Sequence, residues 1–347
     1  MGVLNNDLTF SIDYFDIRTK DLIVENPNVA TAIDAQAPFV NIGEISNKGV
    51  DITLGYGNYS SNSDLKFNAT FVLSAVENNV EELFDDRPDA FISGQGNFRG
   101  GAITRTQVGS SISTFYGRIV DGIFQNEAEV AAAADQGFAT PADGVGRFRY
   151  RDLDDNGVID DRDRTEIGSP IADFTYGLNL SLGYKNFDLT AYFQGSQGND
   201  IYNYNKIFTD FPTFFNGNRS TRVLDSWSET NTGGRLPALS QSILNNETAP
   251  NSHFVEDGSY MRLKNLQIGY NIPSSVLSNI GITSARVYLQ GTNLFTISGY
   301  DGLDPEFQST ADPDNPAEGG TNLTLGVDEG QFYPVSQIYT VGIRATF

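Results

Sequence analysis

Twelve residues, Asp152 to Asp163 (DLDDNGVIDDRD), carry more potential chemistry than any other stretch of this chain. Oxygen donors fall at loop positions one, three, five, nine and twelve: Asp152, Asp154, Asn156, Asp160 and Asp163. Gly157 stands at position six, where such a loop turns sharply. Val158 at seven offers its carbonyl, and Ile159 at eight is an apolar anchor. A hard cation wants an all-oxygen cage, and this is the spacing of an EF-hand-type calcium loop. The expected metal ligands are therefore Asp152, Asp154, Asn156, Val158, Asp160 and Asp163, holding a structural Ca2+. Position twelve departs from the pattern, because Asp163 replaces the usual glutamate and its shorter reach weakens bidentate ligation. Gly146 to Arg151 has strand character rather than helical character. The loop is thus expected inside a long external connection, residues 145–170, and not between paired helices. The competing reading is an acidic, solvated turn.

Other constellations are weaker. Glu81 with Asp85, or Asp301 with Glu306, would offer the two carboxylates of a glycosidase, but sequence does not give their separation. His253 is the one histidine of the chain, without a serine or carboxylate context that would mark a triad or a zinc site, and is expected in a loop. Gly94 to Gly100 (GQGNFRG) misses the GxGxxG spacing by one residue and follows no βαβ pattern, so it reads as a loop. The aromatics Tyr202, Tyr204, Phe208, Phe211, Phe214 and Phe215 could stack on sugar rings, pack on a partner, or pack on one another. Trp227 is expected to pack locally.

The elements that must position these residues are strands. Eight segments alternate apolar and polar residues with period two. They begin at Leu8, Val50, Leu65, Phe174, Phe187, Leu266, Ala285 and Val335. Phe174 to Tyr184 is the cleanest: Phe174, Tyr176, Leu178, Leu180, Leu182 and Tyr184 alternate with small or polar residues. The pattern slips by one residue just before Leu266. Most segments are near the ~9–11 residues that a tilted strand needs to cross a bilayer. Tyr56, Tyr184 and Phe187 sit near strand ends, as interfacial aromatics do. A soluble β-sandwich alternates in the same way, but its loop lengths have no reason to segregate. Here short links (Gly57 to Asp64, Lys185-Asn186, Pro273 to Thr283) alternate strictly with long ones (Asp21 to Gly49, Glu77 to Ser169, Gly198 to Gly258, Ser298 to Pro334). Outer-membrane barrels have short periplasmic turns and long external loops. The fold class expected is therefore all-β, an antiparallel transmembrane β-barrel with about eight membrane strands and long external loops. Short helices are expected at Asn126 to Gln136, at Ser220 to Ser228 and within Pro273 to Thr283, and Ala311 to Pro316 is turn-rich.

Composition fits. The 347 residues include 22 Lys+Arg against 44 Asp+Glu, a formal net charge of −22, which argues against nucleic acid as a partner. Cysteine is absent, as suits an oxidising compartment. No apolar run is long enough for a transmembrane helix, which does not bear on a barrel. No secretory signal is recognisable after Met1, where the strand pattern starts almost at once.

Several ordered stretches resemble SusC/RagA-type TonB-dependent outer-membrane transporters of Bacteroidetes. They are Val40 to Leu54 (VNIGEISNKGVDITL), Phe115 to Val130 (FYGRIVDGIFQNEAEV), Val255 to Pro273 (VEDGSYMRLKNLQIGYNIP) and Ala285 to Glu306 (ARVYLQGTNLFTISGYDGLDPE). The resemblance implies that residues 1–347 are the C-terminal portion of a 22-stranded barrel, with signal peptide, TonB-binding region and plug domain absent. It implies outer-membrane localisation and import of an oligosaccharide or peptide ligand. The implied partners are a SusD-like surface lipoprotein, the TonB complex through the missing N-terminal part, and outer-membrane lipid. The loops Gly198 to Gly258 and Ser298 to Pro334 are the expected contact surfaces. Three alternatives stay open: an extracellular calcium-stabilised β-rich binding or adhesion module, a surface glycoside hydrolase, and a small barrel closed by these eight strands alone.

Overall fold

The computed structural model describes residues 2–3, 7–25, 39–41, 43–58, 63–83, 91–94, 98–213, 217–242, 244–278, 281–307, 324–330 and 332–347. Eight long strands form one antiparallel sheet. They are β1 (Leu8–Thr19), β2 (Glu44–Gly57), β3 (Leu65–Glu82), β4 (Phe174–Tyr184), β5 (Phe187–Gln197), β6 (Tyr260–Ile272), β7 (Ser284–Ser298) and β8 (Ile338–Thr346). Each pairs with its neighbour in this order, and the two-residue strand Gly2–Val3 adds to the β1 edge. All eight expected strands are present. Because β1 and β8 stay at opposite ends of the order, the sheet is open, which overturns the reading of a small self-closed barrel.

Register explains why the alternation matters. One row across seven strands reads Phe10, Leu54, Phe71, Leu178, Phe193, Leu263 and Phe295. A second reads Leu182, Leu189, Ile268, Leu289 and Val341. The opposite face carries Asn68, Ser181, Thr190, Gln267, Gln290 and Thr340 in one row. Side chains alternate faces along each strand, so pairing in this register collects every apolar set on one side. That side has no protein layer over it: Ile268, Leu289 and Val341 are 46%, 58% and 73% exposed. A sheet that leaves such rows uncovered in water would be unstable, whereas lipid satisfies them. The phase slip before Leu266 is a bulge at Lys264, where the register with β7 shifts between Leu263 and Asn265.

The short connections lie at one end of the sheet. Lys185 takes φ +52° in the tight turn between β4 and β5, and Ser274–Leu277 supplies the helical turn expected between β6 and β7. Aromatic pairs gather at this end: Tyr56 with Phe67 at 5.4 Å and Phe187 with Tyr270 at 4.7 Å between ring centroids. They make the girdle that an interface asks for.

The long connections lie at the other end, and the described parts of three of them fold on one another. Four short strands, Phe91–Ser93, Thr104–Gln107, Thr114–Arg118 and Arg164–Gly168, make one small sheet. Asp200–Asn203 pairs antiparallel with Val255–Asp257 and parallel with Val327–Asp328, tying two loops together. A shared core holds Phe115, Phe148, Tyr150, Tyr202, Phe211 and Phe254. The expected helix near Asn126 spans Glu127–Ala132, capped by the Asn126 side chain on the Glu129 N–H. The segment at Ser220 is a 3-10 turn, Thr221–Asp225, rather than an α-helix. Phe148–Tyr150 is a strand, as expected from its pattern.

Candidate functional site

The Asp152–Asp163 loop lies in this lobe, between the strands Phe148–Tyr150 and Arg164–Gly168. It turns where glycine was expected to turn it, with Gly157 at φ +83° and Asp155 at φ +55°. Carboxylate oxygens of Asp152, Asp154 and Asp163 converge to within 4.8 Å of one another. Asp163 is fully buried, and its two oxygens accept the Leu153 N–H (2.8 Å) and the Asp160 N–H (2.7 Å). The Asp152 carboxylate accepts the Gly157 N–H at 2.8 Å, and Asn156 Oδ1 accepts the Val158 N–H at 2.8 Å. The Asp160 carboxylate is turned instead to Arg162, whose Nη2 donates to it at 2.7 Å, and the same guanidinium stands 3.6 Å from Asp154. The loop is held from outside as well. The Asp135 N–H donates to the Gly157 carbonyl (2.9 Å), the Ile159 N–H donates to the Asp135 carbonyl (2.8 Å), and Ile159 packs on the lobe core.

Three carboxylates this close repel one another, more so with one of them buried. Each hydrogen bond to a carboxylate oxygen leaves a second lone pair for a cation. The donor set therefore fits a hard divalent ion at positions one, three and twelve.

The polar face of the wall carries its own ion pairs. Arg286 Nε donates to Asp188 at 3.0 Å and its Nη2 to Gln267 at 2.7 Å. Arg262, 2% exposed, bonds Asp304 and Glu306, and Lys264 at the bulge bonds Glu306 at 2.6 Å. Asp304 also accepts the Glu306 N–H (2.9 Å) and the Val335 N–H (3.2 Å). This cluster fastens the loop after β7, and the approach to β8, to the wall. A groove of about 360 Å³ opens on the same polar face between Asp51, Thr53, Ser74, Thr175, Tyr192 and Gln194. Gly177 leaves room there: a Cβ would stand 3.0 Å from Val72 and 3.4 Å from the Tyr192 ring.

The remaining candidates take structural places. His253 is partly buried in the lobe, its ring 5.3 Å from that of Phe148 and its Nε2 3.7 Å from Asp210. Desolvation holds its pKa below the ordinary histidine value, against the opposing pull of Asp210. Asp210 in turn bonds Arg222 at 2.9 Å; against desolvation, the nearby His253 and the bonds to Arg222 hold its pKa down. Asp301 lies 3.8 Å from Arg222, Glu306 serves Arg262 and Lys264, and Glu81 accepts the Ser46 hydroxyl at 2.6 Å. Asp85, Gln95 to Asn97 within the Gly94 to Gly100 loop, Phe214, Phe215 and Ala311 to Pro316 lie outside the described residues. Tyr202, Tyr204 and Phe211 are buried in the lobe core, so they are not surfaces for a sugar or a partner. Trp227 packs locally, and its Nε1 donates to Gln125 at 2.9 Å. Sequence reading missed the Arg262 cluster. Its signal was a charged pair on the polar face of β6, but the acidic partners lie 42 and 44 residues away.

Comparison with known proteins agrees with this geometry. The profile of the family described as "TonB dependent receptor-like, beta-barrel" matches residues 3–194. TonB-dependent receptor P3 of Formosa agariphila is 35% identical over 350 residues, covering 100% of this chain and 33% of that protein. TonB-dependent receptor SusC of Bacteroides thetaiotaomicron is 25% identical over 336 residues, covering 94% of this chain and 30% of that one. Among solved structures, the RagAB peptide transporter superposes with a TM-score of 0.75 at 25% identity, over 100% of this chain and 34% of that one. The chain thus spans about a third of the length of the relatives it matches. An open sheet with one lipid-compatible face, girdle aromatics at the short-turn end and a folded lobe at the other is what a section of barrel wall requires, and this chain belongs to the TonB-dependent receptor β-barrel family of the Gram-negative outer membrane.

Proposed function

We propose that this chain supplies barrel wall and external lobe to a TonB-dependent importer of oligosaccharides or peptides that works with a SusD-like surface lipoprotein. The observation that carries this reading is the segregation of surfaces across one sheet. Apolar rows lie on one face, polar rows with ion pairs and a groove on the other, and the described parts of the long loops at one end. The apolar face meets lipid, and the polar face lines an aqueous lumen through which a hydrophilic solute can pass. Energy for release into the periplasm comes from the inner-membrane proton gradient through TonB. Similarity to proteins named as a peptide transporter and as SusC supports both the transport role and the lipoprotein partner.

The Asp152–Asp163 loop is read as a structural calcium site within this lobe. Asp152, Asp154 and Asp163 would hold the ion, with Asn156 and the Val158 carbonyl completing the cage and Asp160 acting from the outside. Bound Ca2+ would cancel the repulsion among the carboxylates and fix the lobe, without taking part in chemistry.

The test is uptake in cells. A strain lacking the gene is fed fluorescent oligosaccharides and peptides, with and without a protonophore. Loss of uptake of one ligand class, restored by the intact gene and abolished by the protonophore, is the expected result. Unchanged, proton-independent uptake of every probe would refute the reading.

A further inference from the structure

The four-stranded lobe sheet carries a second chemistry on one face. Register puts Arg105 and Gln107 on the same side as Phe91, Tyr116, Arg164 and Glu166. The Arg105 guanidinium carbon lies 3.5 Å from the centroid of the Phe91 ring and 3.8 Å from that of Tyr116. Arg164 stands 5.4 Å from the same Tyr116 ring. Aromatic rings take the flat faces of a guanidinium and leave its N–H edge for in-plane acceptors. One of those N–H groups, on Nη1, donates to Gln107 Oε1 at 3.3 Å.

What is missing is a counter-charge. Among the described residues, neither Arg105 nor Arg164 comes within ion-pair distance of a carboxylate. The buried arginines among the described residues do better: Arg147 pairs with Glu247, and Arg262 with Asp304 and Glu306. Glu166, on the same face, is engaged elsewhere, accepting from Gln107 Nε2 at 3.1 Å and from the Ser110 hydroxyl. Desolvation lowers the Arg105 pKa from the ordinary arginine value, and repulsion from Arg164 lowers it further, against the pull of Tyr116. Two like charges thus sit beside one ring in a chain of net charge −22. Stacking alone explains one arginine clamped by rings; it does not explain a second cation next to it, Arg164, whose Nη2 donates to the Tyr116 carbonyl at 3.5 Å and which has no carboxylate partner among the described residues. The face is open to solvent, since Phe91 is 40% exposed.

We propose that Arg105, clamped between Phe91 and Tyr116, and Arg164 beside it form a recognition point for an oxyanion, a carboxylate or sulfate, carried by the imported ligand. The proposal rests on the import reading for its biological setting. The clamped fork presents parallel N–H donors in the geometry that a planar carboxylate or a sulfate edge accepts bidentately, and Arg164 adds a second charge. A neutral sugar gains nothing from this pair.

Calorimetry on the intact protein, purified from outer membranes in detergent, tests it with four probes: inorganic sulfate, trigalacturonate, an acidic tripeptide and neutral maltotriose. At least one oxyanion probe is expected to bind saturably and to weaken with added salt, and maltotriose is not expected to compete with it. Trigalacturonate or the tripeptide being the tighter binder distinguishes a glycan from a peptide source. Arg105→Gln is expected to weaken binding by about tenfold or more, the size of one lost charge-assisted contact. Arg105→Lys, which keeps the charge but not the fork, is expected to lose most of that affinity, and Arg164→Gln to weaken binding without touching the stack. Melting curves exclude misfolded variants. Absence of any oxyanion binding, or unchanged affinity in both glutamine variants, overturns the proposal. Proton-driven uptake can persist in either case, so failure here is distinguishable from failure of the import reading.

Discussion

Leu178 is the position where the assignment of faces can be tested most sharply. It is within about one residue of the midpoint of β4 and lies in the apolar row between Phe71 and Phe193. A charge there is far from either interface, so an arginine stem cannot easily carry its head to water. Leu178→Arg in a barrel wall at this depth costs about 2–4 kcal/mol. At tenfold per about 1.4 kcal/mol, the folding equilibrium falls roughly 30-fold to several-hundred-fold. Ser181→Arg, three residues along the same strand on the polar face, is the matched control and should change stability by less than about 0.5 kcal/mol. Both variants are placed in the intact protein, reconstituted in phospholipid vesicles, and unfolded reversibly with urea. If Leu178→Arg is as stable as the parent, or if Ser181→Arg costs as much, the apolar rows do not face lipid and the barrel-wall reasoning fails.

Other consequences follow from the lobe and its attachments. If Ca2+ fills the Asp152–Asp163 loop, the ion at 100 times its Kd stabilises the folded lobe by about 2.7 kcal/mol. Chelator should then lower the melting temperature of the parent protein but not of Asp152→Ala, as calorimetry with and without Ca2+ would show. Replacing Arg262 with Met strands the buried Asp304 carboxylate and should cost about 3–5 kcal/mol in urea titrations, with much of the loss recovered when Asp304→Asn is added. His253 is held neutral by burial, its folded pKa lying below the ordinary value of 6.5. The unfolded chain therefore takes up the proton first as pH falls through 6.5, and the lobe loses stability on acidification. Replacing His253 with Phe should flatten that part of the profile relative to the parent, and an unchanged slope would show that the histidine is not buried neutral.

The wall was legible because its code is local. Each strand from Leu8 onward states its two faces in consecutive residues, and the girdle aromatics and the Lys185-Asn186 turn state where it ends. Even the bulge at Lys264 left a trace, as a one-residue slip of the alternation. The lobe was less legible because its contacts are remote. Tyr202 and Phe211 look like free loop aromatics in sequence, and only the pairing of Asp200–Asn203 with Val255–Asp257 and Val327–Asp328 buries them. His253 carries no local mark of Asp210, 43 residues before it, and Arg262 none of Asp304. The Asp152–Asp163 loop lies between these cases. Its spacing predicts the turn at Gly157 and the convergence of Asp152, Asp154 and Asp163, whereas the turning of Asp160 to Arg162 depends on a salt bridge that ligand spacing does not encode.

Alternating accessibility along β4 tests the central claim most directly. This chain has no cysteine, so single cysteines at positions 178 to 183 can be labelled without background from it, in an intact protein whose cysteines elsewhere are replaced, in outer membranes. Labels at 178, 180 and 182 should be quenched by lipid-borne nitroxides and protected from water-soluble reagents. Labels at 179, 181 and 183 should behave in the opposite way. Uniform aqueous reactivity along all six positions would contradict the account and place this sheet outside the membrane.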